Sequence, residues 1–199
     1  MSTPPPLIVG VGGTLRDGST SQCALQLALA SAEELGAATR MFAGSALNLD
    51  PFDPGDPHRS EETIALVDAL RKSDGVILSS PCYHGSISGL LKNALDYTED
   101  LRCDQRPYLS DRAVGLIVCA DGIQAMGSTL ATLRAIVHAL RGWPTPFAAT
   151  INSAQRPFDA SGACRQAETQ DQVRRVAEQV VEVAFLRRQA AAGAAQSVN

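Results

Sequence analysis

Val114-Gly115-Leu116-Ile117-Val118-Cys119-Ala120 is an unbroken apolar run. A strand with one face in water alternates apolar and polar residues, whereas a strand covered on both faces reads as a continuous run. This stretch therefore predicts a central strand of a parallel sheet. The segments around it agree. Ser128 to Arg141 has helical spacing, with Leu130, Leu133, Ile136, Val137 and Leu140 on one stripe. Pro146 to Ile151 follows as a fifth strand. Gln166 to Leu186 is the last helix, carrying Val173, Val176, Ala177, Val180 and Ala184. Toward the N-terminus, Gly89 to Leu101 is mostly helical, and Gly75 to Ser80 is a third strand. Before it a helix begins at Ser60, with Glu61 and Glu62 favourable in its first turn. Residues 44–59, with Pro51, Pro54, Gly55 and Pro57, read as a loop. Thr39 to Ala43 is a second strand, Ser19 to Leu35 a helix stopped by Gly36, and Leu7 to Gly12 the first strand.

Strand and helix thus alternate five times, which predicts an α/β fold: a doubly wound, five-stranded parallel sheet with helices on both faces. Residues 1–188 form one domain in this reading, and residues 189–199 a flexible tail. Ligands of such sheets sit beyond the carboxyl ends of the strands, where the strand order reverses. The loops after the first, third and fourth strands are therefore the expected site.

Composition narrows the function. The 199 residues carry a formal net charge of −4, and aromatics make up only 5%. Neither a phosphate polymer nor an anionic membrane is favoured by that balance. No apolar run reaches the roughly 18 residues a membrane span needs. The N-terminus has no basic segment ahead of an apolar one, so no secretory signal is expected. Cys23, Cys82, Cys103, Cys119 and Cys164 are scattered with no C-x-x-C pair, which fits a reducing cytoplasm. His58, His84 and His138 share no metal-ligand spacing, so no metal site is expected.

The first loop, Gly12-Gly13-Thr14-Leu15-Arg16-Asp17-Gly18-Ser19-Thr20-Ser21, places hydroxyls and one guanidinium just before a helix. Helix starts offer unpaired amides and partial positive charge, so this is a nest for a phosphate. The alternative is a turn with Ser19 or Ser21 as an N-cap. A dinucleotide fingerprint would need a glycine where Leu15 stands and an acidic residue closing the second strand. A G-K-[ST] phosphate loop is absent as well, so a monophosphate ester fits better than a pyrophosphate or triphosphate. The second loop, Ser80 to Gly89, offers Tyr83 as a flat face, with Gly85, Ser86 and Ser88 allowing close approach, which suits a planar heterocycle. Tyr83 packing on its own helix is the alternative. In the third loop, Asp121 and Gln124 can bond a polar ring edge, or Asp121 can cap the following helix.

Gly13-Thr14-Leu15-Arg16 with Ser19 and Ser21 resembles the G-S-x-R-x-x-S-x-[ST] loop of the NADPH-dependent FMN reductase family. Pro81-x-Tyr83-x-Gly85-Ser86-x-Ser88-Gly89-x-Leu91-Lys92-Asn93-x-x-Asp96 is similar to that family's second motif. The likeness covers roughly residues 7–153. It implies a flavodoxin-like sheet of order 2-1-3-4-5 and an FMN phosphate at Thr14, Arg16, Ser19, Thr20 and Ser21. It also implies an isoalloxazine ring between the 81–86 loop (Pro81, Cys82, Tyr83, His84, Gly85, Ser86) and the 121–124 loop (Asp121, Gly122). Asp121 departs from the family's usual Gly-Gly pair, while Thr14 in place of Ser keeps the hydroxyl.

The implied activity is reduction of flavin by NADPH or NADH, with hydride passed to flavin N5 and no side chain required as acid or base. Reduced FMN would then leave to feed a monooxygenase, or stay and reduce a quinone, azo compound or metal ion. A flavodoxin-type electron carrier is the rival from another class, and the mild net charge weighs against it. His84 is a candidate for tuning the ring or the substrate. Cys82 reads as a backbone donor with a bystander thiol. Arg134, His138 and Arg141 form one helix stripe, read as a solvated face or a subunit contact. By resemblance, Lys92, Asn93 and Asp96 mark a self-association surface. The small and apolar residues of the third helix likewise predict a homodimer or homotetramer.

Overall fold

The computed structural model describes residues 4–196. Its elements run β1 (Leu7–Gly12), α1 (Thr20–Glu34), β2 (Ala38–Phe42), α2 (Glu61–Lys72), β3 (Gly75–Tyr83) and β4 (Ser86–Ile87). They continue as α3 (Gly89–Asp96), β5 (Ala113–Ala120), α4 (Ile123–Ala139), β6 (Trp143–Pro144), β7 (Ala149–Asn152) and α5 (Ala167–Gln196). The sheet order is β2-β1-β3-β5-β6, with β7 also pairing β5. All these pairings are parallel. Strand order therefore reverses between β1 and β3, the arrangement of flavodoxin-like folds.

The expected fifth strand, Pro146 to Ile151, starts only at Ala149 as β7, and the short β6 precedes it on the same edge of β5. Trp143 and Thr145 turn their amides to β5, so position 146 faces the open edge, where a proline costs no ladder bond. Thr145 donates to the Val114 carbonyl at 3.0 Å. The Phe147 amide then leaves the sheet for Gln179 Oε1 at 3.0 Å. Arg134 bridges the gap from α4, donating to the carbonyls of Thr145 (3.1 Å) and Pro146 (2.9 Å), so its guanidinium is a brace within the fold.

Alternation along the strands sorts the core into two layers. Ile8, Ile77 and Ile117 face α1 and α5, whereas Val9, Val76, Leu78, Leu116 and Val118 face α2, α3 and α4. Gly115 permits α5 to lie close to the sheet. A Cβ there would stand 2.5 Å from Val176 Cγ1 and 2.9 Å from Val180 Cγ2.

Three helices depart from the sequence reading. α4 begins at Ile123, more than a turn ahead of Ser128, and Gly122 is its N-cap with no side-chain cap bond. Ser128 resembles a cap in sequence, but its hydroxyl bonds back to the Ala125 carbonyl inside the helix (3.1 Å). α3 ends at Asp96 and tightens into a 3₁₀ turn, Tyr97–Leu101. α5 continues through Gln196. Its apolar stripe stops near Leu186, but the alanines beyond it are the strongest helix formers. Residues 197–199 of the expected tail, and residues 1–3 at the N-terminus, lie outside the described residues. Among the described residues no helix is long and apolar enough to cross a membrane.

Candidate functional site

The loops after β1, β3, β5 and β7 emerge at one edge of the sheet because all four strands run parallel. The turn after β1 is held in place from below. Gly13 donates its amide to the Ser79 carbonyl at 2.8 Å, and a Cβ at Gly13 would lie 2.5 Å from Ser88 Oγ. Only a glycine lets the first loop pass this close to the second. Ser79 Oγ donates to the Ser21 carbonyl (2.7 Å), tying β3 to the first turn of α1.

Ser19 is the N-cap of α1. Its hydroxyl accepts from the Gln22 amide (3.3 Å) and its carbonyl from the Cys23 amide (2.9 Å). Of the first four amides, those of Thr20 and Ser21 remain to point out of the helix start. Ser19 therefore caps the helix, and that cap leaves the Thr20 and Ser21 amides available to a ligand. The Ser19 and Ser21 hydroxyls are buried and 3.4 Å apart, a long contact that either can exchange for an incoming acceptor. No acidic residue stands in the first turn to oppose an anion.

The second loop is a tight hairpin. β3 and β4 pair antiparallel through Cys82 with Ile87 and Tyr83 with Ser86. His84 and Gly85 form the two-residue tip, with φ of 52° and 80°. Positive φ at both positions is the mirror-image turn that matches strand twist. Residues along a strand alternate sides, so Tyr83 and Cys82 point opposite ways. Tyr83 is 55% exposed and does not pack on its own helix. Cys82 turns toward α4, where its thiol donates to the Ala125 carbonyl (3.3 Å) and accepts from Thr129 Oγ1 (2.8 Å). The thiol is thus engaged with α4, not idle.

Thr14, Arg16, Ser19, Thr20, Ser21, Pro81 and Tyr83 line one recess, together with Cys119 and Ser153. Cys82, His84, Gly85, Ser86, Asp121 and Gly122 are not among its lining residues. His84 is exposed at the hairpin tip, Gly85 and Ser86 belong to the hairpin, and Asp121 and Gly122 are exposed where β5 passes into α4. Asp121 does not cap that helix, since Gly122 takes the position. Sequence reasoning missed Cys119 and Ser153. Ser153 begins the 3₁₀ turn after β7, and the rule that ligands lie beyond strand ends would have found it had it been applied to the last strand. Burial pushes the Cys119 thiol upward from its ordinary value, and neighbouring Cys23 adds to the shift. Cys119 is therefore held as a neutral wall and not as a thiolate. Among the described residues no group of three or more His, Cys, Asp or Glu side chains is placed to hold a metal ion.

The donor set fits a phosphate monoester: hydroxyls, two outward amides and one guanidinium at a helix start, beside an exposed aromatic face. The outer side of α3 fits its expected role less well. Leu91, Ala94 and Leu95 are all buried, and Lys92 pairs with Asp96 at 2.6 Å. Asn93 accepts from the Phe52 amide and donates to the Asp50 carbonyl (both 2.8 Å), so it pins the loop before α2.

Comparison with known proteins gives the family. The family model described as NADPH-dependent FMN reductase matches residues 6–156. The chain is 33% identical over 142 residues to an FMN-dependent NADPH-azoreductase of Staphylococcus aureus, covering 70% of this chain and 68% of that one. It is 28% identical over 178 residues to the NADPH-dependent FMN reductase ArsH of Shigella flexneri, covering 89% and 68%. The apo structure of an NADH:FMN oxidoreductase (EMOB) shares the fold, with a TM-score of 0.66 at 20% identity over 88% of each chain. The match over most of the chain places it: the protein belongs to the NADPH-dependent FMN reductase family, flavodoxin-like NAD(P)H-dependent oxidoreductases that use FMN.

Proposed function

We propose that the loop after β1 holds the phosphate of FMN, and that the β3–β4 hairpin and the 121–124 loop flank its ring. The observation that carries this reading is the convergence of Thr14, Arg16, Ser19, Thr20 and Ser21 on one recess with Pro81 and Tyr83. FMN, when bound, would supply the redox chemistry, two-electron transfer between a nicotinamide nucleotide and an acceptor. The chain's own work is binding and orientation. Arg16 offsets the phosphate charge, the Thr20 and Ser21 amides and the serine hydroxyls fix its position, and Tyr83 presents a flat apolar wall. Backbone amides of the hairpin are the groups available to stabilise negative charge near the ring. Titration should show FMN bound more tightly than riboflavin. Equal affinity for the two would remove the phosphate from the 14–21 loop.

The electron acceptor is a small oxidised molecule of the quinone or azo class, or a monooxygenase supplied with reduced FMN. Likeness to an azoreductase favours the first. The cytoplasm is the proposed compartment. We also propose a homo-oligomer, with the contact moved from α3 to α4. Ile123 is 78% exposed, and Gly127, Ala131 and Ala135 follow it at four-residue spacing, all exposed and uncharged. A second copy of the same helix can approach such a face closely.

A further inference from the structure

The hairpin that would face the flavin ring is too short to hold itself. β4 has two residues and makes two pairs with β3, both beyond Pro81, the last β3 residue paired with β5, so Tyr83 stands past the sheet ladder. Something outside the hairpin must fix where Tyr83 stands. Its inward face offers Ile87, which is buried, and Cys82, which is bonded to α4. Thr129, fully buried, donates its hydroxyl proton to Cys82 Sγ at 2.8 Å. Cys82 in turn donates to the carbonyl of Ala125 at 3.3 Å. Ala125 lies in the first turn of α4, immediately behind the 121–124 loop. A Cβ at Gly85 would stand 3.6 Å from Ser128 Oγ, so the hairpin tip lies beside the second turn of α4.

We propose that the relay from Thr129 through Cys82 to Ala125 is a latch that sets the spacing between the β3–β4 hairpin and the start of α4. This inference rests on the assignment of the flavin ring to that gap. Cys82 and Thr129 are positioning residues: neither reaches the recess by its side chain, yet together they join the two loops that would enclose the ring. The latch acts on the ring and leaves the phosphate loop alone. It therefore separates in experiment from the contacts made by Arg16 and the serines.

The test is a flavin titration of the full-length protein and its variants with both FMN and riboflavin. Thr129→Val keeps the buried volume and removes the donor. It should weaken FMN and riboflavin by the same factor, roughly 3–10-fold for one neutral hydrogen bond. It should also alter the visible circular dichroism of the bound flavin, and Thr129→Ser should restore both. Cys82→Val, at a partly buried strand position, should reproduce the loss even where Thr129→Val folds poorly. The double variant should lose no more than either single one. The latch is overturned if Thr129→Val and Cys82→Val bind both flavins as the unaltered protein does, or if only FMN is weakened. If the unaltered protein binds FMN no better than riboflavin, the phosphate-loop assignment fails while the latch test still stands. If it binds neither, both readings fall.

Discussion

Arg16 is exposed at the lip of the recess, beside hydroxyls that are themselves buried and partnered. A phosphate there gains one charge-assisted contact from its guanidinium, worth about 1.5–3 kcal/mol. Arg16→Ala should therefore weaken FMN roughly 10–100-fold in a fluorescence titration and leave riboflavin affinity unchanged, because riboflavin has no phosphate to lose the contact. An equal loss for both flavins would mean that Arg16 acts on the ring or on the fold. At this scale the sequence was informative where a side chain acts through its own chemistry. The hydroxyls, the guanidinium and Tyr83 can be named from type and position, and the structure brings them to one recess. Cys82 did not, because a thiol's partner on another helix, Thr129, lies far away in sequence and follows no spacing rule. Ser153 was missed for a similar reason, since it reaches the recess only through the length and path of β7.

The elements follow from periodicity where one face decides them. β5 is apolar along its whole length and is buried throughout, as a central strand should be. Boundaries set by local chemistry were harder to read. Gly127-Ser128 has the look of a helix start, yet Met126 is already buried one turn into α4, so tertiary packing carries the helix back to Ile123. The last strand starts at Ala149 and not at Pro146, because the Phe147 amide is taken by Gln179 of α5, a partner that no local pattern shows. The close seat of α5 on the sheet yields a direct test. Gly115→Ala would place a methyl at 2.5 Å from Val176 Cγ1, inside van der Waals contact. Overpacking of this kind costs about 1–3 kcal/mol, which lowers the melting temperature by roughly 2–12 °C for a chain of this size. FMN affinity should be unaltered, since the clash lies on the α5 face and away from the strand ends. Partial recovery in Gly115→Ala/Val176→Ala would locate the strain at that contact.

At the scale of the whole molecule, the fold class was legible because alternation of strand and helix leaves few topologies open, and the observed order reverses between β1 and β3 as a doubly wound sheet requires. Assembly was less legible. A helix stripe shows which residues are small, but which side faces the sheet is settled only by packing, and α3 spends its apolar residues inward. Light scattering at micromolar concentration should return a multiple of the 20.9 kDa chain. Ile123→Asp, on the exposed face of α4, should shift that mass toward the monomer; a monomeric parent protein would contradict the proposed contact. The activity of the family is the movement of electrons from a nicotinamide nucleotide through FMN. Steady-state oxidation of NADPH and of NADH, followed at 340 nm with and without added FMN, tests it most directly. Oxidation of at least one nucleotide is expected, dependent on FMN, whether FMN is added or retained through purification. A protein that binds FMN and oxidises neither nucleotide would be an electron carrier, and the account would be wrong.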